Sequence, residues 1–523
     1  MEELKITILE TSDVHGNVLP INYGNNEEEN LGLAKLATVI KDERDLSKNV
    51  ILIDNGDLIQ GTPFTYHYVK KMKKERNPMI EILNKLNYDA AIIGNHEFNY
   101  GMEIINDAVE QSNFPWLSAN ILNDETNEPY FGNPYVIKQV EEVKVAILGV
   151  TTHYIPNWEN PDHIEKLKFE NAFGVTKKWV EWIRRNEKPD VLIVSYHGGF
   201  ECDLKTGKPT ETLTGENEAY RMCKEIEGID LLLTGHQHRV IADQVGSVLV
   251  LQPGFNGQYL GKAEVTLFKK DKKWQIQSKK CSVISVENTN PDMEIMNLAK
   301  KYEDAVQQWL DQPIGKINGD MLVTDPLKLR MEDNPLIEFI NKVQMYYSGA
   351  SISNTALFNN TSPGFPKDVT MRDIVSNYIY PNTLKVIRIT GKDIKDALER
   401  SASYFTFDEN GQLTVNPQFS TPKPQHYNYD MWEGIEYVMD VRKPIGERVV
   451  VLQKDGETLS LTDEYNVVMN NYRAGGGGDY TMFQHKEVVK DIPTDMSELI
   501  ANYIMEHKTI DTLINNNWKV VWK

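Results

Sequence analysis

Cysteine is nearly missing from this chain. Its 523 residues hold three, Cys202, Cys223 and Cys281, a scattered and odd trio without the close spacing of a zinc or disulfide framework. They are expected as buried thiols, in a fold held by its apolar core. Positive charge is also short, with 56 Lys and Arg against 76 Asp and Glu and a net charge of -20. That sign argues against nucleic-acid polymers and anionic membranes as partners, because both are bound through basic patches. No apolar run reaches membrane-spanning length, and the first strand-like run opens at Lys5 with no basic, apolar leader ahead of it. The expectation is a cytoplasmic protein, or an exported one if a leader has been removed. Long repeats and low-complexity tracts are absent too, so 40% hydrophobic content over this length suits two domains with separate cores.

What the chain does have is a series of metal-ligating side chains, each just after a short apolar run. Residues 5–10 precede Asp13 and His15, 50–53 precede Asp57, 90–93 precede Asn95 and His96, 191–194 precede His197, and 231–233 precede His236 and His238. Such runs read as strands buried on both faces. In open sheets the carboxyl ends of these strands meet at one crevice, so ligands far apart in sequence arrive together. Taken singly, each Asp is an ordinary turn former and each His an ordinary hydrogen-bonded core residue; the whole set at strand ends is what points to metal.

Oxygen from Asp13, Asp57 and Asn95 with nitrogen from His15, His197, His236 and His238 suits Zn, Mn, Fe or Co rather than Ca or Mg. Asp57 stands between the two ligand groups in sequence and is the candidate bridge between two divalent ions. Gly16, Gly56, Gly94, Gly198 and Gly235 leave room for tight turns and close backbone approach. His96, beside Asn95 on a turn, is expected to face substrate instead of metal. His67, His153, His163, His426, His485 and His507 read as structural or solvated.

The organisation is that of an α/β protein. A first domain is expected over 1–287, with helices at 32–46, 78–86 and 172–186 and further strands at 144–151, 247–252 and 261–268. Residues 25–30 and 203–218 read as surface loops. Over 288–313 lies a linker helix: Ile295, Leu298, Ala299, Tyr302, Ala305, Val306 and Trp309 recur every three or four residues, Asn290 or Asp292 caps the start, and Pro313 ends it. A second domain over 314–523 mixes helices at 335–347 and 391–401 with strands near 384–389, 448–452 and 465–470.

The segments TSDVHGN, GDLIQGTP, GNHEFNYG, SYHGG and TGHQH resemble the calcineurin-like metallophosphoesterases, and more narrowly the 5'-nucleotidase family with its added C-terminal nucleotide-binding domain. YPNTL at 380–384 and NNYRAGG at 470–476 extend the resemblance over nearly the whole chain. It is strongest to the 2',3'-cyclic-nucleotide 2'-phosphodiesterase/3'-nucleotidase branch, which carries GNHEFNYG, YPNTL and NNYRA in similar places. The resemblance implies a four-layer α-β-β-α domain, then a smaller α/β nucleotide-binding domain. It places Asp13, His15, Asp57 and His238 on one ion and Asp57, Asn95, His197 and His236 on the other. His96 becomes the donor to the transferring phosphoryl group or leaving alkoxide. Tyr380 and Tyr472 become the two rings around a base, with Asn382 and Asp479 as neighbouring substrate-binding residues. Gly475 to Gly478 would let the backbone approach a ligand closely.

Two departures from the 5'-nucleotidase pattern favour the cyclic and 3'-nucleotide branch. Asn99 stands where those enzymes have an Asp three residues after the catalytic His, and an Asn stabilises an imidazolium less than a carboxylate does. Residues 353–358 read SNTALF where those enzymes have a Gly-rich stretch ending in Arg. The implied activity is hydrolysis of small nucleotide phosphoesters. A 5'-nucleotidase or UDP-sugar hydrolase is the alternative, and a catalytically silent scaffold is the alternative from another class. Scaffolds of that kind lose ligands, and here all seven are present.

Overall fold

The computed structural model describes every residue except 1, 158, 212, 379, 381, 422 and 493. Ile379 and Pro381, which flank Tyr380, therefore lie outside the described residues. The chain divides into two compact units, Met1–Pro156 with Asn160–Val306 and Asn157–Glu159 with Gln307–Lys523. No helix among the described residues is long and apolar enough to cross a membrane.

The first unit holds two six-stranded sheets. Its elements in chain order are β1 (Glu3–Thr11), α1 (Leu33–Leu46), β2 (Val50–Asp54), α2 (Pro78–Lys85), β3 (Ala90–Ile92), β4 (Trp116–Leu117), β5 (Tyr135–Val140), β6 (Val143–Thr151), α3 (Ala172–Asn186), β7 (Val191–His197), α4 (Ala219–Glu225), β8 (Leu231–Thr234), β9 (Val240–Val245), β10 (Val248–Pro253), β11 (Tyr259–Lys270) and β12 (Lys273–Ser285). One sheet runs β12-β11-β1-β2-β3-β4 and the other β9-β10-β8-β7-β6-β5. In each, the parallel strands end level: Thr11 pairs with Asp54, and Thr151 with His197.

The period of two in each strand decides the layering. Ile6, Ile8, Ile51, Ile53, Val191, Ile193, Leu231 and Leu233 fill the core between the sheets. The alternate residues Leu192, Val194 and Leu232 face Phe173, Val180 and Ile183 of α3 and Met222 of α4. Each central strand is thus buried on both faces, and the arrangement is the expected four-layer α-β-β-α sandwich.

Sequence reading missed β12. It is an edge strand, so its KWQIQSKKCSVIS run is largely exposed and lacks the double-sided burial that marks its neighbours. Cys281 lies on it and is half-buried, unlike Cys202 and Cys223, which are buried as expected; all three are free thiols.

Helix α5 (Met293–Leu310) begins where Asp292 Oδ1 accepts the Glu294 and Ile295 amides at 3.0 and 3.1 Å, so Asp292 rather than Asn290 is the cap. In the second unit, α6 (Pro335–Ser348), β13 (Ile352–Ala356), β14 (Leu384–Thr390), α7 (Gly391–Ala402), β15 (Asp430–Glu433), β16 (Glu464–Asn470), β17 (Val488–Ile492) and β18 (Trp518–Val521) frame its core. Five of them form a sheet ordered β15-β13-β16-β14-β17.

Candidate metal centre

The loops after β1, β2, β3, β7 and β8 bring their polar residues to one point because the strands feeding them end level and hydrogen-bond to each other past their ends. The Asp13, His15 and Gly16 amides donate to the Gly56, Asp57 and Leu58 carbonyls at 2.8 to 2.9 Å, and the Gly235 amide donates to Gly198 at 3.1 Å. Asp13, His15, Asp57, His236 and His238 all take left-handed backbone angles, with φ between 50° and 67°. Such a conformation costs a non-glycine residue about 1 to 3 kcal/mol. Asp and His tolerate it better than most, but five such residues at one crevice indicate strain held for function. Two glycines are required by contact. A Cβ on Gly94 would lie 2.4 Å from the Asp57 carboxylate, and one on Gly235 would lie 2.2 Å from Ser12 Oγ.

Two donor groups result, Asp13 with His15 and His238, and Asp57 with His197 and His236, each with ligand atoms within 4.8 Å of one another. In the first, His15 Nε2 and His238 Nε2 are 3.0 Å apart, and His238 Nε2 is 3.5 Å from Asp13 Oδ1. In the second, Asn95 Oδ1 lies 3.1 Å from His197 Nε2 and 2.8 Å from His236 Nδ1, and Asp57 Oδ2 is 3.2 Å from His197 Nε2. On three of these rings the other nitrogen is occupied. His15 Nδ1–H donates to the Gln60 carbonyl at 3.0 Å and His197 Nδ1–H to the Asn55 carbonyl at 2.7 Å. His236 Nε2–H donates to Glu216 Oε1 at 2.7 Å. In the neutral rings those bonds select the tautomers that leave the inward nitrogens as lone pairs, the arrangement a metal-ligating imidazole uses.

Electrostatics agree with a cation at this point. Burial opposes charge on Asp13 and Asp57, yet the facing histidines, His238 and His197 for Asp13 and His197, His96 and His15 for Asp57, hold both carboxyls well below their usual range. Behind them the trend reverses. Burial pushes Asp54 up to about 8 and raises Glu10 strongly, with Asp13 adding to the latter. Negative charge is therefore concentrated on the two inward carboxylates. Burial also disfavours a charged His197, but Asp57 outweighs it and lifts that imidazole to about 10, whereas burial brings His15 down to about 4. A donor set of facing carboxylates, one amide oxygen and four imidazoles fits divalent ions. Loading the second group must displace the His197 proton.

His96 lies in neither group. Its amide donates to Asp57 Oδ1 at 2.7 Å, and its ring stands 5.2 Å from that of His15. Asn99 Oδ1 is 2.6 Å from His96 Nδ1 and, as a carbonyl oxygen, accepts that N–H, leaving Nε2 as the end free for chemistry.

Sequence reading overlooked several residues that shape this centre. Glu97, within GNHEFNYG, accepts the Asp57, Leu58, Ile59 and Gly94 amides at 2.6 to 3.2 Å. Glu216 belongs to a segment whose sequence reads as a surface loop. The 203–218 segment is exposed along much of its length, but its end turns inward, with Asn217 and Glu218 buried and Glu216 on His236. No periodicity marks such a residue; only the fold delivers it.

In the second unit, Tyr380 and Tyr472 are joined through Tyr427. Each meets Tyr427 edge to face, with ring centroids 6.1 and 6.3 Å apart, so three rings line this wall where the sequence suggested two. The close approach allowed by Gly475 to Gly478 is taken up by the chain itself: a Cβ on Gly477 would lie 2.5 Å from the Tyr472 ring. Arg473 locks the wall in place. It is buried, makes paired bonds of 2.7 and 3.0 Å to Asp430, donates to the Tyr427 carbonyl at 2.8 Å, and lies 3.9 Å over the Tyr480 ring. Asp479 is exposed and pairs with Arg400 at 3.2 Å. Asn382 is half-buried and accepts the Met496 amide on its carbonyl at 2.8 Å.

Residues 6–240 match the calcineurin-like phosphoesterase family and residues 313–485 the 5'-nucleotidase C-terminal domain. A Staphylococcus aureus structure, solved with alpha-ketoglutarate and named as a candidate 5'-nucleotidase, is 35% identical, with a TM-score of 0.91 over 99% of this chain and 100% of that one. The 2',3'-cyclic-nucleotide 2'-phosphodiesterase/3'-nucleotidase of Salmonella typhimurium is 27% identical over 98% of this chain and 88% of its own length. The trifunctional nucleotide phosphoesterase protein YfkN of Bacillus subtilis is 26% identical over 99% of this chain, which spans 39% of that larger protein.

Glu216→Gln keeps the side chain's size but weakens its bond to the His236 ring. It is expected to lower divalent-metal affinity about 10- to 100-fold, read by competition with a chelating dye. An unchanged affinity would mean that Glu216 does not orient His236.

Proposed function

Because the chain belongs to the 5'-nucleotidase family of calcineurin-like metallophosphoesterases, and is thus a metal-dependent phosphoric ester hydrolase, we propose that it acts on 2',3'-cyclic nucleotides and 3'-nucleotides through two divalent ions. The observation that carries the finer reading is the GNHEFNYG turn, in which Asn99 and not a carboxylate accepts from His96. Supporting it is the nearly full-length similarity to enzymes named for that activity. A second reading is hydrolysis of 5'-nucleotides or UDP-sugars, and its 5'-nucleotide form is favoured by the 35% identity to the Staphylococcus aureus protein.

Asp13, His15, Asp57 and His238 would hold one ion, and Asp57, Asn95, His197 and His236 the other. When bound, such ions supply Lewis acidity that withdraws charge from phosphoryl oxygens and makes water a nucleophile near neutral pH. The chain's own residues do the rest. Asp57 is fixed by the His96 amide on one oxygen, which leaves the other for the donor groups. His96 donates a hydrogen bond or proton to the transferring group or leaving alkoxide from Nε2. Because its Nδ1–H is committed to a neutral amide, only the imidazolium can donate there. Tyr380 and Tyr472, with Tyr427 beside them and Asn382 and Asp479 nearby, take the base by stacking, which reads little of its edge.

Three expectations follow from these assignments. In a panel of 2',3'-cyclic, 3'- and 5'-nucleotides, kcat/KM is highest for the first two and is abolished by exhaustive chelation; a clear preference for 5'-AMP or a UDP-sugar selects the second reading. His96→Asn lowers kcat at least about 100-fold while KM and metal content hold, and loss of an ion on elemental analysis reassigns His96 as a ligand. Tyr380→Ala or Tyr472→Ala lowers kcat/KM for nucleotides by the equivalent of about 1 to 3 kcal/mol but much less for a simple aryl phosphate; equal damage to both substrates points to a structural role for the rings.

A further inference from the structure

A second cluster of ligating side chains lies inside the C-terminal unit and has no part in the reading above. Asp333, just ahead of α6, Glu338 in its first turn and Glu433 at the end of β15 each place a carboxylate oxygen within 4.8 Å of the other two. All three are buried, at 8%, 1% and 4% exposure. The C-terminal segment ahead of β18 closes over them. Asn515 donates its amide to Glu338 Oε2 at 3.0 Å and its side-chain Nδ2 to Glu433 Oε2 at 2.9 Å, and the Asn516 amide reaches Asp333 Oδ2 at 2.8 Å.

These bonds leave the cluster unbalanced. Lys342 pairs with Glu338, and among the described residues no other cationic side chain forms an ion pair with the three acids. Asp333 Oδ1 is sealed from solvent with no hydrogen-bond donor, a costly state for a carboxylate oxygen. Asn517 Oδ1 is also sealed and without a donor, on a side chain whose Nδ2 binds the Trp432 and Ile435 carbonyls on either side of Glu433. Burial, together with Glu338 and Asp333 and against the Asn515 amide, pushes Glu433 up to about 7, and burial raises Asp333 as well. The structure thus holds three buried carboxylates with a single lysine and an Asp333 oxygen that has no donor.

We propose that Asp333, Glu338 and Glu433 form a structural cation site that binds calcium and fastens the C-terminal segment to α6 and β15. The donor set is all oxygen, with no imidazole or thiolate to favour a transition metal. Calcium takes six to eight oxygen ligands at about 2.3 to 2.6 Å in flexible geometry, which suits carboxylates held by separate elements; magnesium, at about 2.1 Å, demands near-ideal octahedral geometry. One calcium and Lys342 together neutralise the three acids. This site is separate from the imidazole-rich centre of the first unit and stands or falls apart from the proposed function.

The test uses full-length protein stripped with EGTA, its first centre then saturated with manganese, and radioactive calcium in equilibrium dialysis. Wild type is expected to take up one calcium per chain, and Asp333→Asn with Glu433→Gln none, while manganese-dependent hydrolysis of an aryl phosphodiester remains as a check on folding. Calcium at about a hundred times its Kd should raise the wild-type Tm by roughly 5 °C and leave the double variant's unmoved. Without calcium the variant should melt no lower than wild type, since the substitutions remove repelling charges. Equal uptake by both proteins overturns the proposal. Should the double variant not fold, the wild-type result decides alone: no calcium bound after manganese saturation overturns the site, and one bound upholds it.

Discussion

The candidate metal centre depends on one buried side chain that belongs to neither donor group. Glu97 accepts four backbone amides, three from the turn that carries Asp57 and one from Gly94 ahead of Asn95. Two loops from neighbouring parallel strands are thereby held at one separation, with Asp57 aimed where His197 and Asn95 meet. The arrangement is favourable because the turn's amides would otherwise be buried without acceptors. Removing Glu97 would both unpin a ligand and leave donors unsatisfied, so its cost would exceed that of an ordinary lost hydrogen bond.

A rigid base is also what makes the strain at the ligands tolerable. Five of the candidate metal residues hold left-handed backbone angles, and such residues persist only where their surroundings over-determine them. Here the surroundings are two sheets packed face to face, with Ile8, Ile53, Ile193 and Leu233 beneath the loops. The outer nitrogens of His15, His197 and His236 are tethered to Gln60, Asn55 and Glu216. Ions entering such a site meet ligands already turned toward them, so little ordering remains to oppose binding.

The C-terminal unit uses the same device with different chemistry. Arg473, buried and doubly bonded to Asp430, ties together the segments that carry Tyr427 and Tyr472. Breaking a buried pair of this kind typically costs about 3 to 5 kcal/mol because it strands a charge. The pair therefore explains why an arginine follows Tyr472 directly: it positions the aromatic wall and has its donors committed within the protein.

Much of the first unit could be read from residue order alone. A strand buried on both faces is written as a short apolar run, and β2, β3, β7 and β8 carry that mark, whereas β1 mixes Lys5, Thr7 and Glu10 with its apolar residues; polar residues just past them had to lie on one edge, because parallel strands end together. Hence Asp13, His15, Asp57, Asn95, His197, His236 and His238 were legible as a set, and GNHEFNYG, YPNTL and NNYRA marked the family. The edge strand β12 was not legible, since its exposed face carries no pattern distinct from a loop. Nor were Glu216, Tyr427, or the joining of Asp333, Glu338 and Glu433. Sequence by itself determined which strands are central and which side chains crown them, because burial and periodicity are local properties of the chain. Tertiary structure alone decided which ring nitrogen each histidine turns inward, which loop reaches back to orient it, and which distant acids share a pocket, because those depend on contacts between segments that no local pattern encodes.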